Sequence, residues 1–158
     1  MVSVKIAKNK KEGLKPGEIV YTLMREHDVI LGFLKELEKI NQGIKNNKED
    51  FSKLNQIAQN LIEAELHYKR EEEVLFPELE KRGIFGPPEI MKLEHKDLRK
   101  YKKELSGLVK NISEINFNNF KKELNLIAEP LIAALREHIF KENNILFPTA
   151  LETIKEAE

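Results

Sequence analysis

The chain has no cysteine. That excludes disulfides, thiolate metal ligands and thiol redox chemistry together. It also has no net charge, since Lys+Arg and Asp+Glu each number 27. No excess of one sign draws it to nucleic acid or to an anionic membrane. No apolar run approaches the roughly 18 residues needed to cross a bilayer, and the first residues form no apolar signal-peptide core. A cytoplasmic location without a membrane partner is the expectation. Nowhere do apolar and polar residues alternate at strand period with β-branched enrichment. What remains is 158 residues, 41% apolar and 34% charged. That is enough for one domain with a sizeable core, in the proportions of a water-facing helical protein.

Residues 1–15 carry Lys5, Lys8, Lys10, Lys11 and Lys15 with few apolar partners. They read as a flexible basic tail, and residues 16–158 read as the folded domain. No aromatic residue interleaves the lysines, which favours a solvated arm over a nucleic-acid arm. Helical periodicity then marks four segments. The first spans about Pro16 to Ile40, with stripe Val20, Leu23, His27, Ile30/Leu31, Leu34. The second begins near Asp50, a plausible N-cap, and runs to about Arg82 with stripe Ile57, Leu61, Ala64, His67, Glu71, Val74. Gly83 to Pro88 breaks it. The third spans about Pro88 to Ile112, with stripe Met91, His95, Leu98, Tyr101/Lys102, Leu105, Leu108. The fourth spans about Phe117 to Phe147, with stripe Leu124, Ile127, Leu131, Leu135, His138, Glu142, Ile145. Pro130 should kink the fourth helix or mark its true start. The expected fold is all-α: an antiparallel up-down-up-down four-helix bundle with a short C-terminal helical extension from Pro148.

One string occurs twice: His-x-x-x-Glu-x-x-[Val/Ile]-Leu-Phe-Pro, from His67 to Pro77 and from His138 to Pro148. Residues four apart share a helix face, so each copy aims an imidazole and a carboxylate the same way. Helices one and three carry Glu-His instead, as Glu26-His27 and Glu94-His95. The chain therefore looks internally duplicated. Its four histidines fall one per helix, each on the apolar stripe. If that stripe covers about a third of the circumference, chance places all four inward about 1% of the time. A lone inward histidine is usually a hydrogen-bonded core residue. Four on one level, two of them paired with glutamates, point to a metal site instead.

Glu71 and Glu142 add to this, because an unpaired buried carboxylate costs several kcal/mol. Ferritin-type di-iron sites need a glutamate three residues before histidine. Those positions hold Met24, Ala64, Lys92 and Leu135, which disfavours that class. Six donors are too many for one tetrahedral zinc, and four imidazoles do not suit magnesium or calcium. Iron or manganese fits, with the two carboxylates shared between a pair of ions. Tyr21, Met24, Tyr68, Tyr101 and Arg99 lie near this level, and Leu23, Ile30, Leu61, Leu98 and Leu135 would wall it. Phe76-Pro77 and Phe147-Pro148 should plug the bundle end and terminate regular helix.

With these spacings the chain resembles the hemerythrin-like, HHE cation-binding family over about residues 16 to 150. The resemblance implies a left-twisted four-helix bundle around an oxo- or hydroxo-bridged di-iron centre. It implies His27, His67, Glu71, His95, His138 and Glu142 as ligands, with the glutamates bridging. Manganese or zinc could substitute for iron. Oxygen-carrying hemerythrins have a further histidine where this chain has Arg99, and an aspartate where it has Asn143. The chain is thus more similar to the branch with four histidines and two glutamates. That branch includes bacterial proteins linked to repair of iron centres, which usually carry a cysteine-containing N-terminal segment. Two histidines, two bridging carboxylates and one bridging oxygen leave about one open position per iron. The expected ligand is O2, NO or peroxide, for binding, sensing or stress defence. An NO- or peroxide-reducing or iron-donating role is the alternative, and a purely structural bundle a third.

Overall fold

The computed structural model describes residues 16–157. The tail expected at residues 1–15 lies outside them. Four rods make up the domain. The first is α1, Pro16–Gly43. The second is α2 Lys48–Glu63, α3 Glu65–Arg70, a π-helical turn Glu71–Leu75, and α4 Phe76–Lys81. The third is α5, Gly86–Lys110. The fourth is α6 Phe117–Lys141, a second π turn Glu142–Leu146, and α7 Phe147–Ala157. Each rod packs on the next and the fourth closes on the first. Short connections force neighbours to run antiparallel. Among the described residues there is no strand.

Local chemistry sets the helix ends. The N-cap of α2 is Asn47, not Asp50: Asn47 Oδ1 accepts from the Asp50 N–H at 2.8 Å. Asp50 sits inside the first turn and reaches back to accept from the Lys45 N–H at 2.7 Å. The two side chains thus split the work of a capping box. Asn116 caps α6 by accepting from the N–H groups of Asn118 and Asn119. Pro130 lies inside α6 without ending it. After α4 the chain turns at Gly83, where φ is +84°. The Gly83 N–H bonds Glu80 O and the Ile84 N–H bonds Leu79 O, the Schellman pattern. Nothing lies within 4 Å of where a Cβ would sit, so only backbone strain opposes a side chain there. Gly83→Ala should therefore cost about 1 kcal/mol in urea unfolding. An unchanged midpoint would contradict the left-handed turn.

The two Leu-Phe-Pro strings do not end their helices, contrary to expectation. Helix resumes at Phe76 and at Phe147 after a π turn. Proline has no N–H, and its ring clashes with the carbonyl four residues back. A wider turn just ahead relieves that clash and keeps the rod intact. The cap N–H groups reach five residues back, Phe76 to Glu71 O and Phe147 to Glu142 O. One extra residue per turn slips the inward face by one position. Ile145, expected on the stripe, turns outward and Val74 is only half-buried against the core, while Leu75 and Leu146 face in. Ile145 is 54% exposed and Leu146 1%.

The apolar core is split in two. The larger cluster fills the half toward the α1–α2 and α5–α6 connections and includes Ile30, Leu34, Leu61, Leu98, Leu105, Leu131 and Leu135. The smaller one closes the other end with Val20, Leu23, Leu75, Phe76, Leu79, Met91, Phe147 and Ile154. Buried His27, His67, Glu71, His95, His138 and Glu142 lie at the level between them, with a contribution from every rod. A continuous apolar core would have been cheaper, because hydrophobic burial dominates folding. A polar layer across the whole bundle calls for a ligand that compensates it.

Candidate metal centre

All six donors expected from the sequence meet in this layer. His27 comes from α1, His67 from α3, His95 from α5 and His138 from α6, and Glu71 and Glu142 open the two π turns. None is more than 1% exposed. Two groups of donors form. One holds Glu71, His95, His138 and Glu142; the other holds His27, His67 and Glu142. The carboxylates reach across both. Glu71 Oε1 lies 2.9 Å from His67 Nε2 and 3.8 Å from His95 Nε2. Glu142 lies 2.5 Å from His138 Nε2 through Oε1 and 3.8 Å from His27 Nε2 through Oε2.

These are crowded acceptors, not satisfied hydrogen bonds. Both oxygens of Glu71 and of Glu142, and Nε2 of His95 and His138, are buried without a hydrogen-bond partner. Native interiors leave few such atoms, because each costs roughly 1–3 kcal/mol and more when charged.

The other nitrogen of every imidazole is occupied. His67 Nδ1 faces Glu26 at 3.3 Å, His95 Nδ1 faces Glu72 at 3.3 Å, and His138 Nδ1 faces Glu94 at 3.0 Å. His27 Nδ1 donates to Asn143 Oδ1 at 2.7 Å. Every Nδ1 has an acceptor, so each ring carries its proton there and turns a bare Nε2 lone pair inward. That is the arrangement by which proteins orient metal-ligating histidines. Cations brace the carboxylates in turn. Arg70 holds Glu26 and Lys141 holds Glu94, each at 2.5 Å, and Arg99 spans Glu65 and Glu72.

The bonds run rod to rod around the bundle. Glu26 of the first rod serves the second, Glu72 of the second serves the third, Glu94 of the third serves the fourth, and Asn143 of the fourth serves the first. Phe76 stacks beside His95 and Phe147 beside His27, centroids 6.1 and 5.1 Å apart. The duplication seen in the sequence is thus a pseudo-two-fold axis through the site.

Electrostatics agree with a site built for cations. Burial and then the neighbouring imidazole hold His27 down to about 4 and His95 down to about 3. Both are neutral imidazoles at pH 7. Burial and the Glu142 charge push Glu71 well up. Glu142 is held low despite burial, by Glu71 and by His138. His138 is raised, since Glu142 and Glu94 outweigh its burial.

Of the side chains expected around the site, Tyr68 stacks on His95 at 4.1 Å and Arg99 clamps Glu72. Tyr21 is 53% exposed and Tyr101 half-buried. The sequence reading missed Glu26, Glu72, Glu94 and Asn143 as partners of the histidines. Each adjoins a donor in sequence, which is the signal that could have found them.

A four-rod bundle with a buried histidine–glutamate layer is a metal-binding helical protein by fold and donor set. A family model, that of the hemerythrin HHE cation binding domain, matches residues 18–150. The chain belongs to this family. It is also similar to proteins named iron-sulfur cluster repair protein YtfE. The protein from Musicola paradisiaca is 30% identical over 142 residues, covering 84% of this chain and 64% of the relative. Those from Salmonella typhimurium and Enterobacter sp. are 34% and 36% identical over 90 and 91 residues, 54% of this chain and 40% of each relative. The chain thus spans less than two thirds of each of these curated relatives. Among the described residues no helix is long and apolar enough to cross a membrane.

Proposed function

We propose that this chain is a non-haem di-iron protein that binds O2, NO or peroxide in the cytoplasm. The observation that carries this reading is the set of buried, unpartnered Glu71 and Glu142 oxygens facing imidazole Nε2 atoms. His27 and His67 would hold one ion, His95 and His138 the other, and Glu71 and Glu142 would bridge them. Iron fits a mixed nitrogen and oxygen donor set, and manganese or zinc could occupy it as substitutes. Two imidazoles and two shared carboxylates leave each ion short of six protein donors. Two irons so held would supply redox electrons and vacant coordination positions to a small diatomic ligand or peroxide. The protein's own residues do the rest. Glu26, Glu72, Glu94 and Asn143 keep the proton on each Nδ1, and the two apolar clusters keep bulk water out.

Metal analysis of protein from iron-supplemented cells tests this. Two irons per chain are expected, falling to one or fewer in His138→Ala. A single zinc, near-zero iron, or two irons retained in the variant would overturn it.

A second reading is that the chain reduces NO or peroxide, or donates iron to damaged iron centres. The similarity to proteins named for iron-sulfur cluster repair favours it. Steady-state consumption of NO or peroxide with a reductant, rather than saturable reversible binding, would select it.

A further inference from the structure

The pseudo-two-fold axis pairs His27 with His95, His67 with His138, Glu71 with Glu142 and Glu26 with Glu94. On one side the correspondence fails. Glu72 is matched by Asn143, Arg99 by Leu31, Tyr68 by Ile139 and Lys102 by Leu34. We infer that the two halves of the centre hold their ions unequally: the His95/His138 pocket retains its ion, and the His27/His67 pocket exchanges its ion past Asn143. This rests on the two-ion reading above and adds to it which ion moves and where.

Two observations support the inequality. The first is the partner of Nδ1. His95 donates to the carboxylate of Glu72, which Arg99 fixes with contacts of 2.8 and 3.0 Å. His27 donates to a neutral amide. A carboxylate partner makes the opposite nitrogen a stronger base and a better ligand than an amide does, and such partners are worth 10–100-fold in metal affinity. His67 and His138 both have carboxylate partners, Glu26 and Glu94, so they do not offset the difference. The second is access. A shallow open groove of about 520 Å³ reaches Asn143, lined by Tyr21, Met24, Arg25 and Asp28. His27 lies directly behind that amide. On the opposite side, Arg99 ties Glu72 to Glu65 across the surface, and the Lys92–Glu80 pair at 3.0 Å lies nearby.

The test is a stepwise titration of the metal-free chain with Co(II), read by its visible d–d absorption. The wild type should bind one equivalent tightly and a second about 10–100-fold more weakly. Repulsion between two cations alone could also split the steps, so residue-specific changes decide. Asn143→Asp places a carboxylate opposite Glu72 and should narrow the split about tenfold by tightening the second step. Glu72→Gln should weaken the first step by a similar factor. With one equivalent bound, His95→Ala should have lost the tight step and His27→Ala should retain it. An unchanged split in Asn143→Asp, or a tight step lost in His27→Ala and kept in His95→Ala, would overturn the inference. Failure of the wild type to take up two ions would instead sink the two-ion reading beneath it. Circular dichroism of each metal-free variant separates loss of binding from loss of fold.

Discussion

Replacing Glu71 with methionine should stabilise the metal-free protein and cost it its metal. Glu71 is completely buried, with neither oxygen hydrogen-bonded. Burial and the Glu142 charge push its carboxyl well above the usual range. The layer therefore bears the desolvation of a polar group that a cation would offset. Methionine has a similar length and a flexible thioether that fills irregular space. Exchanging buried ionisable groups for apolar ones is worth about 1–4 kcal/mol in favourable cases. The loaded state should change the other way. Glu71 contacts histidines of both pockets, at 2.9 and 3.8 Å, so its loss weakens both ions. At 100 times Kd, each bound ion stabilises the wild type by about 2.7 kcal/mol, and the variant should gain little. Thermal unfolding with and without Fe(II) should thus show crossing orders: variant above wild type when metal-free, below it when loaded. A metal-free variant less stable than the metal-free wild type would show that Glu71 is satisfied by the protein itself.

This conflict between stability and function explains what the sequence made legible. Hydrophobic periodicity placed His27, His67, His95 and His138 on inward stripes because the burial of neighbours such as Leu23, Ile30, Leu98 and Leu135 leaves them no other direction. Glu71 and Glu142 stood out because a carboxylate on such a stripe violates the local rule. Two features were not legible. Cross-rod hydrogen bonds such as Glu26 to His67 depend on the axial register of two helices, which no single-helix pattern encodes. The π turns were hidden because Pro77 and Pro148 read as stop signals, while the structure accommodates them by widening the preceding turn. That widening moves the inward face from Val74 to Leu75 and from Ile145 to Leu146. It also begins at Glu71 and Glu142 themselves, so the same turns that admit the prolines set the two buried carboxylates.

Lys102 should make the protein more stable as pH rises from 7 toward 10, and Lys102→Met should abolish that rise. Its ammonium is 4% exposed at residue level and lies among Leu98, Leu105 and Tyr68 of the larger core cluster. Among the described residues its close polar partner is the Tyr68 hydroxyl, at 3.0 Å, with the ring face 4.2 Å away. Tyr68 cannot supply a counter-charge, because burial pushes its phenol well up. Of the charges around it, Glu65 on α3 favours the ammonium and Arg99 on α5 opposes it, and burial outweighs both, bringing Lys102 down to about 7. The folded pKa thus lies below the unfolded value of about 10.4. Below pH 7 both states carry the proton and the full burial penalty applies. Between pH 7 and 10 the unfolded chain binds the proton and the folded one does not, so stability climbs with pH. From pH 6 to 9.5 the wild type should gain about 3 kcal/mol relative to Lys102→Met, measured by urea unfolding of the metal-free forms. Comparing the two pH values removes the constant cost of leaving the Tyr68 hydroxyl without its partner in the variant. Parallel pH profiles would mean that Lys102 stays charged in the core. Tyr68 stacks on His95 at 4.1 Å, which couples this buried lysine to the candidate centre. Two bound cations would drive Lys102 further toward the neutral amine, so metal loading should shift the rise in stability to lower pH.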